Sequence, residues 1–487
     1  MHIPAKQDYT YTEFTDYARR FSQVDLLAGI ARIAAALPDG PASAYTPARP
    51  WALAGLAKAS IVHGNPYRTI PARPQDITLG CAIFDKIKPG QTDDAARDPL
   101  FNILTRMAYE QFAYQESPGN ELARAESLFN GYSGRKPLQV LNTAGVNELL
   151  GAPVRDAAGV AIMLAGAAFA ADGFFDPAVL DHEDYARVLE ELPKERILSV
   201  IDTCFVTDIA DFRRRNKMAP QLTNLDQYMF NPLTSRPFLR LDDGRLLAPV
   251  PQLIPRRLSP IEFYYDGLGR WDRTYMEDMG ELFEDYVGRQ LQDLPDVTVH
   301  SEILYGGKSG KEKKSIDWIV VFDDLVLLVE AKAARVDAAG RAGTQVAKRP
   351  ATKTLSDAFE QIDVTHEQIM ARTKEFSHIP TDRPFIGLVA TLDPWYTANF
   401  GAPDFPYHPQ VPCLTAPIRS IETLIGIGRR RSASEVLKQI AASSQLSTWD
   451  LGAALHDFQD PTDTNPILMA AYAGLPFNPQ PDQAATM

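Results

Sequence analysis

The stretch SIDWIVVFDDLVLLVEAKA, residues 315–333, decides how the second half of this chain folds. It consists of two apolar runs joined by Asp323 and Asp324, which we take as the two-residue turn of an antiparallel hairpin. Asp317 lies near the start of the first run, and Glu330 and Lys332 lie at the end of the second. Charged groups are costly to bury without a partner, so their place in apolar strands needs a chemical explanation.

A turn at these two aspartates fixes which residues of the strands lie opposite each other. Phe322 then pairs with Leu325, and the same register places Asp317 opposite Glu330. Residues two apart share a face, so Lys332 projects on the same side as Glu330. Two carboxylates whose Cβ atoms are about 4.5–5.5 Å apart repel each other. A divalent cation reverses that effect, because Mg²⁺ prefers hard oxygen ligands at about 2.0–2.1 Å.

A surface hairpin with solvated charges is the alternative interpretation. On the face that carries the charges, however, the middle is apolar: Ile319, Val321, Val326 and Leu328. A solvent-facing surface would carry polar residues along its whole length. The pattern therefore favours a polar site at the open end of the hairpin.

Asp317, twelve intervening residues and then Glu330-Ala331-Lys332 resemble the motif of the PD-(D/E)XK nuclease superfamily. The predicted order of a helix, three strands, a helix and a strand over residues 270–400 is similar to the core of that family. Ile316 stands where the family usually has proline. The resemblance implies an αβββαβ restriction-endonuclease-like domain with a mixed central sheet, and it says nothing of the first half.

The resemblance also implies a role for each hairpin group. Asp317, Glu330 and the backbone carbonyl of Ala331 would bind Mg²⁺, for which Mn²⁺ can substitute. Lys332 would assist the attacking water or stabilise charge on the phosphate.

Two further polar residues match positions that the family often uses on its helices. Glu284, in GELFEDYV, would complete the metal shell through water or act as general base, and Glu281 is the alternative one turn earlier. Gln361, in DAFEQIDV, would hold substrate or water. The competing interpretation of each is an exposed helix side chain.

A basic region surrounds the hairpin, although the whole chain has a net charge of −13. Residues 305–353 contain ten basic and six acidic residues, a local excess that suits a phosphate backbone. A solvated loop is the alternative. The residues predicted to bind nucleic acid, double-stranded DNA in the first place, are Lys308, Lys311, Lys313, Lys314, Arg341, Lys348 and Arg349.

Length and composition limit the number of domains, the use of the cysteines and the location of the protein. The chain has 487 residues, enough for two or three domains. Its three cysteines are far apart and form no CxxC pair, which excludes a disulfide framework and a sequence-local zinc site. The first residues lack the pattern of a secretory signal, and the longest apolar run, 159–171, is too short to span a bilayer. We therefore expect a cytoplasmic protein without a membrane partner.

Hydrophobic periodicity predicts an α+β or α/β chain in four parts. Residues 1–230 form a helical domain for sensing, specificity or oligomerisation. Residues 231–267 form a proline-rich connecting segment with a strand–turn–strand signal at Asp243-Gly244. Residues 268–445 form the nuclease-like domain, and 446–487 a helix with a flexible tail.

The resulting hypothesis is a Mg²⁺-dependent endodeoxyribonuclease, with bacterial restriction or antiviral defence as its setting. The alternatives are a catalytically inactive nuclease-like protein that binds nucleic acid or a protein partner, and the same chemistry on RNA or branched DNA. A second copy of the chain or a defence-system protein is a further expected partner.

Overall fold

The computed structural model describes residues 7–37, 46, 48–88, 99–134, 136–219, 225–306, 312–341, 345–396, 398–401 and 407–477. They form an α+β protein with mixed sheets, in agreement with the predicted fold class. The chain divides into two compact units. Unit 1 comprises Met1–Glu126, Asn142–Arg270 and Ala471–Met487, and unit 2 comprises Ser127–Leu141 and Trp271–Ala470.

Unit 1 is mainly helical. Its helices are α1 (Tyr11–Ala18), α2 (Gln23–Ala35), α3 (Pro50–His63), α4 (Pro74–Phe84), α5 (Pro99–Gln111), α6 (Pro118–Asn130, ending in unit 2), α7 (Thr143–Leu150), α8 (Val154–Ala170), α9 (Ala186–Glu191), α10 (Lys194–Val200), α11 (Ile209–Met218) and α12 (Leu253–Arg256). Helix α3 is apolar around its circumference and packs against α1, α2, α4 and α11, which makes it the centre of the core.

Unit 1 also contains a four-stranded sheet, in addition to the helices that the sequence predicts. Its strands are β1 (Phe174–Phe175), β2 (Val206–Thr207), β3 (Phe238–Arg240) and β4 (Leu246–Leu247), in the order β1-β4-β3-β2. The predicted hairpin at Asp243-Gly244 is β3–β4, with Gly244 at a φ of 88°. The segment 231–267 therefore does more than connect: it supplies the two central strands of this sheet.

One stretch of unit 1, Thr143–Ala170, has the length and hydropathy of a membrane span among the described residues. The structure divides it into α7 and α8, because Gly151 adopts a φ of 80° and ends α7. Helix α8 buries nine of its seventeen residues, which is typical of a core helix.

Unit 2 is built around a five-stranded mixed sheet in the order β11-β10-β9-β8-β5. The strands of the whole of unit 2 are β5 (Thr298–Ser301), β6 (Leu304–Tyr305), β7 (Lys313–Lys314), β8 (Trp318–Val321), β9 (Val326–Lys332), β10 (Phe385–Thr391) and β11 (Cys413–Pro417). Strands β5, β8 and β9 are antiparallel neighbours, whereas β10 runs parallel to both β9 and β11. The short pair β6–β7 forms a separate two-stranded sheet.

The helices of unit 2 flank this sheet. They are α13 (Tyr264–Gln292, beginning in unit 1), α14 (Ala338–Arg341), α15 (Gln345–Met370), α16 (Ala398–Gly401), α17 (Ile418–Gly428), α18 (Ala433–Ala442), α19 (Leu451–Leu455) and α20 (Pro466–Ala473, ending in unit 1). Helix α13 is interrupted at Asp272, whose φ is 49°. Helix α15 packs on β9 and β10. The segment 446–487, predicted as a helix and a flexible tail, contains the two short helices α19 and α20, and residues 478–487 lie outside the described part.

The register of the β8–β9 hairpin is the one predicted from the Asp323–Asp324 turn. Trp318 pairs with Val329 and Val321 with Val326, and the Phe322 N–H donates to the Leu325 carbonyl over 2.9 Å. Strand β9 is buried from Val326 to Glu330, because β8 and β10 flank it and α15 covers it. The same register, extended by one pair, places Asp317 beside Glu330 at the open end.

Candidate active site

Asp317 lies immediately before β8 and turns its carboxylate toward the end of β9. Its Oδ2 accepts a hydrogen bond from the backbone N–H of Ala331 over 2.7 Å. Burial, and then the negative charge of Glu330, raise the pKa of Asp317 to about 7. The structure therefore brings together the two carboxylates that the register predicts, at the electrostatic cost that such a pair implies.

Glu330 is 4% exposed, and the backbone N–H of Asp317 lies close to its carboxylate. Oε1 accepts from the Lys332 ammonium over 2.5 Å. Oε2 is buried and has no hydrogen-bond partner among the residues that the structure describes. Burial raises the pKa of Glu330, and the positive charge of Lys332 and the backbone N–H of Asp317 oppose that effect. A buried carboxylate oxygen without a donor is well suited to a cation.

The donor set of this pair fits Mg²⁺. In the described part of the chain, no three His, Cys, Asp or Glu side chains lie close enough together to hold a metal ion. A magnesium site does not need three, since one or two carboxylates are commonly supplemented by waters and substrate phosphate. Asp317 and Glu330, with the carbonyl of Ala331, would hold the ion here.

Lys332 and Gln361, which were expected to act on water, phosphate or substrate, contact each other directly. The Lys332 ammonium donates to Gln361 Oε1 over 3.1 Å as well as to Glu330. Gln361 lies on α15, the helix that covers β9. The carboxylate of Glu330 and the amide of Gln361 thus hold the lysine by two hydrogen bonds.

Glu284 lies on α13 near this group. The indole N–H of Trp318 donates to the Glu284 carbonyl over 3.0 Å, which ties the helix to the start of β8. Gly288 makes room for the Trp318 ring, because a Cβ at that position would overlap it. Burial, and then Asp317, raise the pKa of Glu284 to about 7. A carboxyl with that pKa can exchange protons near neutral pH, as a general base must.

Glu281, the alternative to Glu284, has another partner. Its carboxylate forms an ion pair with the Lys136 ammonium. Glu284 is therefore the better candidate for the site.

The predicted nucleic-acid-binding residues fall into three groups. Lys313 and Lys314 are exposed on β7, and Lys314 pairs with Glu302 over 2.9 Å. Lys308 and Lys311 lie outside the described residues, and Lys348 and Arg349 lie on α15 with side chains that are not described. Arg341 donates to buried Asp393 over 2.7 Å and to the Val336 carbonyl over 3.0 Å. In the structure Arg341 therefore helps to hold the loop after β9. The sequence predicted only that it binds phosphate.

Sequence reasoning missed a segment of the first half that belongs to unit 2. This inserted segment, Ser127–Leu141, lies along α13. Buried Asp278 accepts the backbone N–H groups of Gln139, Val140 and Leu141 over 3.1, 2.6 and 2.8 Å. Lys136 of the same segment lowers the pKa of Glu284, against the larger effect of burial. The acidic residues at a helical spacing in the middle of α13, Asp278, Glu281 and Asp285, were the available signal.

Asp278→Ala should detach the inserted segment. The substitution leaves three backbone N–H groups without their acceptor, and we expect the free energy of unfolding to fall by about 3 kcal/mol or more. Denaturant unfolding measures the loss, and limited proteolysis should show new cleavage within 127–141. Glu277→Ala, at an exposed neighbour on α13, is the control and should leave both unchanged. Equal stability of the two variants would contradict the anchoring role.

Asp317→Asn should stabilise the metal-free protein at high pH. The pKa of Asp317 rises from 3.8 to about 7 on folding, so the folded protein keeps a proton there that the unfolded chain loses. The stability of the wild type therefore falls as the pH rises through this range, and the whole penalty is present above pH 7. Asparagine retains an acceptor for Ala331 without the charge. We expect a gain of about 2 kcal/mol in unfolding free energy at pH 8 in EDTA, and almost none at pH 4. A variant less stable than wild type at pH 8 would contradict the account.

No protein-family model matches the chain, and no curated protein or solved structure matches it either. The case for a function therefore rests on the residues of this site and their geometry.

Proposed function

We propose that this chain is a Mg²⁺-dependent nuclease of the PD-(D/E)XK type that hydrolyses phosphodiester bonds of DNA. The observation that carries the proposal is the convergence of Asp317, Glu330 and Lys332 at the open end of one hairpin. Within this group Glu330 Oε2 is buried without a close hydrogen-bond donor among the described residues, which supports a cation as its partner.

The order of elements in unit 2 supports the finer assignment of the fold. Helix α13 precedes the antiparallel strands β5, β8 and β9, after which α15 leads to the parallel strand β10. The β6–β7 pair is inserted between β5 and β8. We propose that residues 270–400 form a restriction-endonuclease-like domain on this basis, together with the motif on β8 and β9.

Each side chain has a distinct part in the proposed reaction. When bound by Asp317 and Glu330, Mg²⁺ would lower the pKa of a coordinated water and offset charge on the phosphate. Lys332, held by Glu330 and Gln361, would donate to the attacking water or to the phosphate oxygens as negative charge develops there. Glu284, with its pKa near 7, would accept the proton that the water loses.

The substrate follows from charge. The chain has a net charge of −13, but the segment 305–353 that carries Asp317, Glu330 and Lys332 has an excess of basic residues, of which Lys313 and Lys314 are exposed. Cations placed locally in an acidic protein attract a polyanion to one place. We propose that the protein is cytoplasmic and that DNA is its substrate. We also propose a role in bacterial defence, which rests on the family resemblance alone.

A cleavage assay on several substrates tests this proposal. Purified protein is incubated with supercoiled plasmid, branched DNA and single-stranded RNA, each with Mg²⁺ or with EDTA. We expect nicked and linear plasmid with Mg²⁺ and none with EDTA. Cleavage of RNA alone would identify the protein as a ribonuclease. Salt-sensitive DNA binding without any cleavage would identify it as a DNA-binding protein without nuclease activity.

A further inference from the structure

Unit 1 contains a cavity of about 460 Å³ that the nuclease proposal does not use. Residues from α1, α3, α11, the stretch after α4 and the stretch 225–229 surround it. Pockets that bind small organic ligands measure about 300–1,000 Å³, so this cavity has room for such a molecule. Its apolar lining comes from Ile87, Leu225 and Met229, and two tyrosine rings, Tyr11 and Tyr228, add flat surfaces.

Lys58 is the feature of this cavity that the fold does not explain. It lies in α3, PWALAGLAKASIVH, as the only residue of that helix with a permanent charge, and it is 6% exposed. Its ammonium makes one hydrogen bond, to the neutral carbonyl of Met229 over 3.2 Å. No carboxylate of the described residues lies within ion-pair distance of it, although Asp226 lines the same cavity. A buried ammonium with one neutral partner is costly, and an apolar side chain of the same length would pack there without that cost.

Two further donors line the cavity without partners. The hydroxyl groups of Tyr11 and Tyr228 make no hydrogen bond within the described part of the chain. Burial raises the pKa of Tyr228 to about 12, and it raises the pKa of Tyr11 as well. Both phenols therefore stay protonated and remain donors at neutral pH. Lys58, Tyr11 and Tyr228 therefore supply three donor groups to the lining of the cavity, where Asp226 is the nearby acidic residue.

We propose that the unit 1 cavity binds an organic phosphate monoester with a planar ring system, of which a nucleoside monophosphate is the simplest natural type. Three donor groups need an acceptor with several oxygens, and a phosphate offers more of them than a carboxylate does. The charge of the phosphate would compensate the buried ammonium of Lys58. The planar body would pack on the tyrosine rings and on Ile87, Leu225 and Met229.

Calorimetric titration of the full chain tests the proposal with four probes: AMP, phenyl phosphate, benzoate and inorganic phosphate. We expect AMP or phenyl phosphate to bind more tightly than inorganic phosphate or benzoate, and the better of the two tells a nucleotide from a simpler aryl phosphate. Lys58→Met should weaken that binding by about 30-fold or more, because it removes the buried cation. Tyr228→Phe should weaken it by about tenfold.

Matched controls keep a folding defect apart from a binding defect. Lys58→Met removes a buried charge, so its thermal unfolding midpoint should be equal to or above that of the wild type. Lys86→Ala removes an exposed lysine that follows α4 and does not line the cavity. This variant should bind the phosphate probes as the wild type does. Failure of every probe to bind at millimolar concentration would overturn the proposal. So would equal binding by the wild type and a folded Lys58→Met variant.

Discussion

Asp317→Asn should lower the rate of Mg²⁺-dependent DNA cleavage by about 10³-fold or more. The substitution keeps the shape of the side chain and an acceptor for the Ala331 N–H, so β8 and β9 should remain paired. It removes one of the two negative charges that hold the ion, and a neutral amide oxygen is a far weaker ligand for Mg²⁺. Single-turnover cleavage of a labelled duplex measures the loss.

The matched control lies on the same hairpin. Asp323→Asn makes the identical chemical change in the turn, at the opposite end of β8 and β9, and should leave the cleavage rate within about twofold of the wild type. Binding of Mn²⁺, followed by paramagnetic resonance, should be lost in Asp317→Asn and kept in Asp323→Asn. Retention of full cleavage by Asp317→Asn would remove this aspartate from the site.

Lys332→Met should abolish cleavage by a different route. Methionine matches the length of lysine without its charge, so the attacking water and the phosphate lose their donor, and we expect a fall in rate of about 10²–10⁴-fold. The carboxylates of Asp317 and Glu330 remain, and the second becomes free of its ion pair. Mn²⁺ should therefore bind at least as tightly as it binds to the wild type.

This separation of metal binding from cleavage is the distinctive expectation for Lys332. Lys374→Met, at an exposed lysine of unit 2, serves as the control for loss of one positive charge and should cleave normally. A Lys332→Met variant that loses Mn²⁺ together with cleavage would show that the lysine supports the carboxylates rather than the reaction.

The hairpin was predictable from sequence because its information is local. A two-residue turn and a side-chain period of two determine the register of β8 and β9, and the charged ends then identify the site. Gln361 and Glu284 were named from the family resemblance, whereas the hydrogen bond between Lys332 and Gln361 is visible only in the structure.

The inserted segment was not predictable, because its contacts join residues far apart in the chain. Asp278 and Leu141 are 137 residues apart, and nothing in the local pattern of either links them. The same reason applies to Arg341, whose partner Asp393 is 52 residues away. A basic residue in a basic region has the same sequence pattern whether it meets phosphate or a buried carboxylate.

Two short strands of unit 1 escaped prediction for another reason. Strands β1 and β2 have two residues each, too few for an alternating pattern to appear, whereas the turn at Asp243-Gly244 indicated β3 and β4. Lys58 was hidden in the same way, since a single lysine in an apolar helix is compatible with an exposed position until the packing around α3 is known.

The most direct test of the central claim is the initial rate of plasmid cleavage across a Mg²⁺ titration, with wild type and Asp317→Asn prepared in parallel. We expect the rate to rise and saturate with Mg²⁺ for the wild type and to stay at background for the variant. Because both preparations would carry the same contaminating nucleases, a difference between their cleavage rates would come from the substituted site. Identical curves for the two proteins, or no cleavage by the wild type with Mg²⁺ or Mn²⁺, would contradict the central claim.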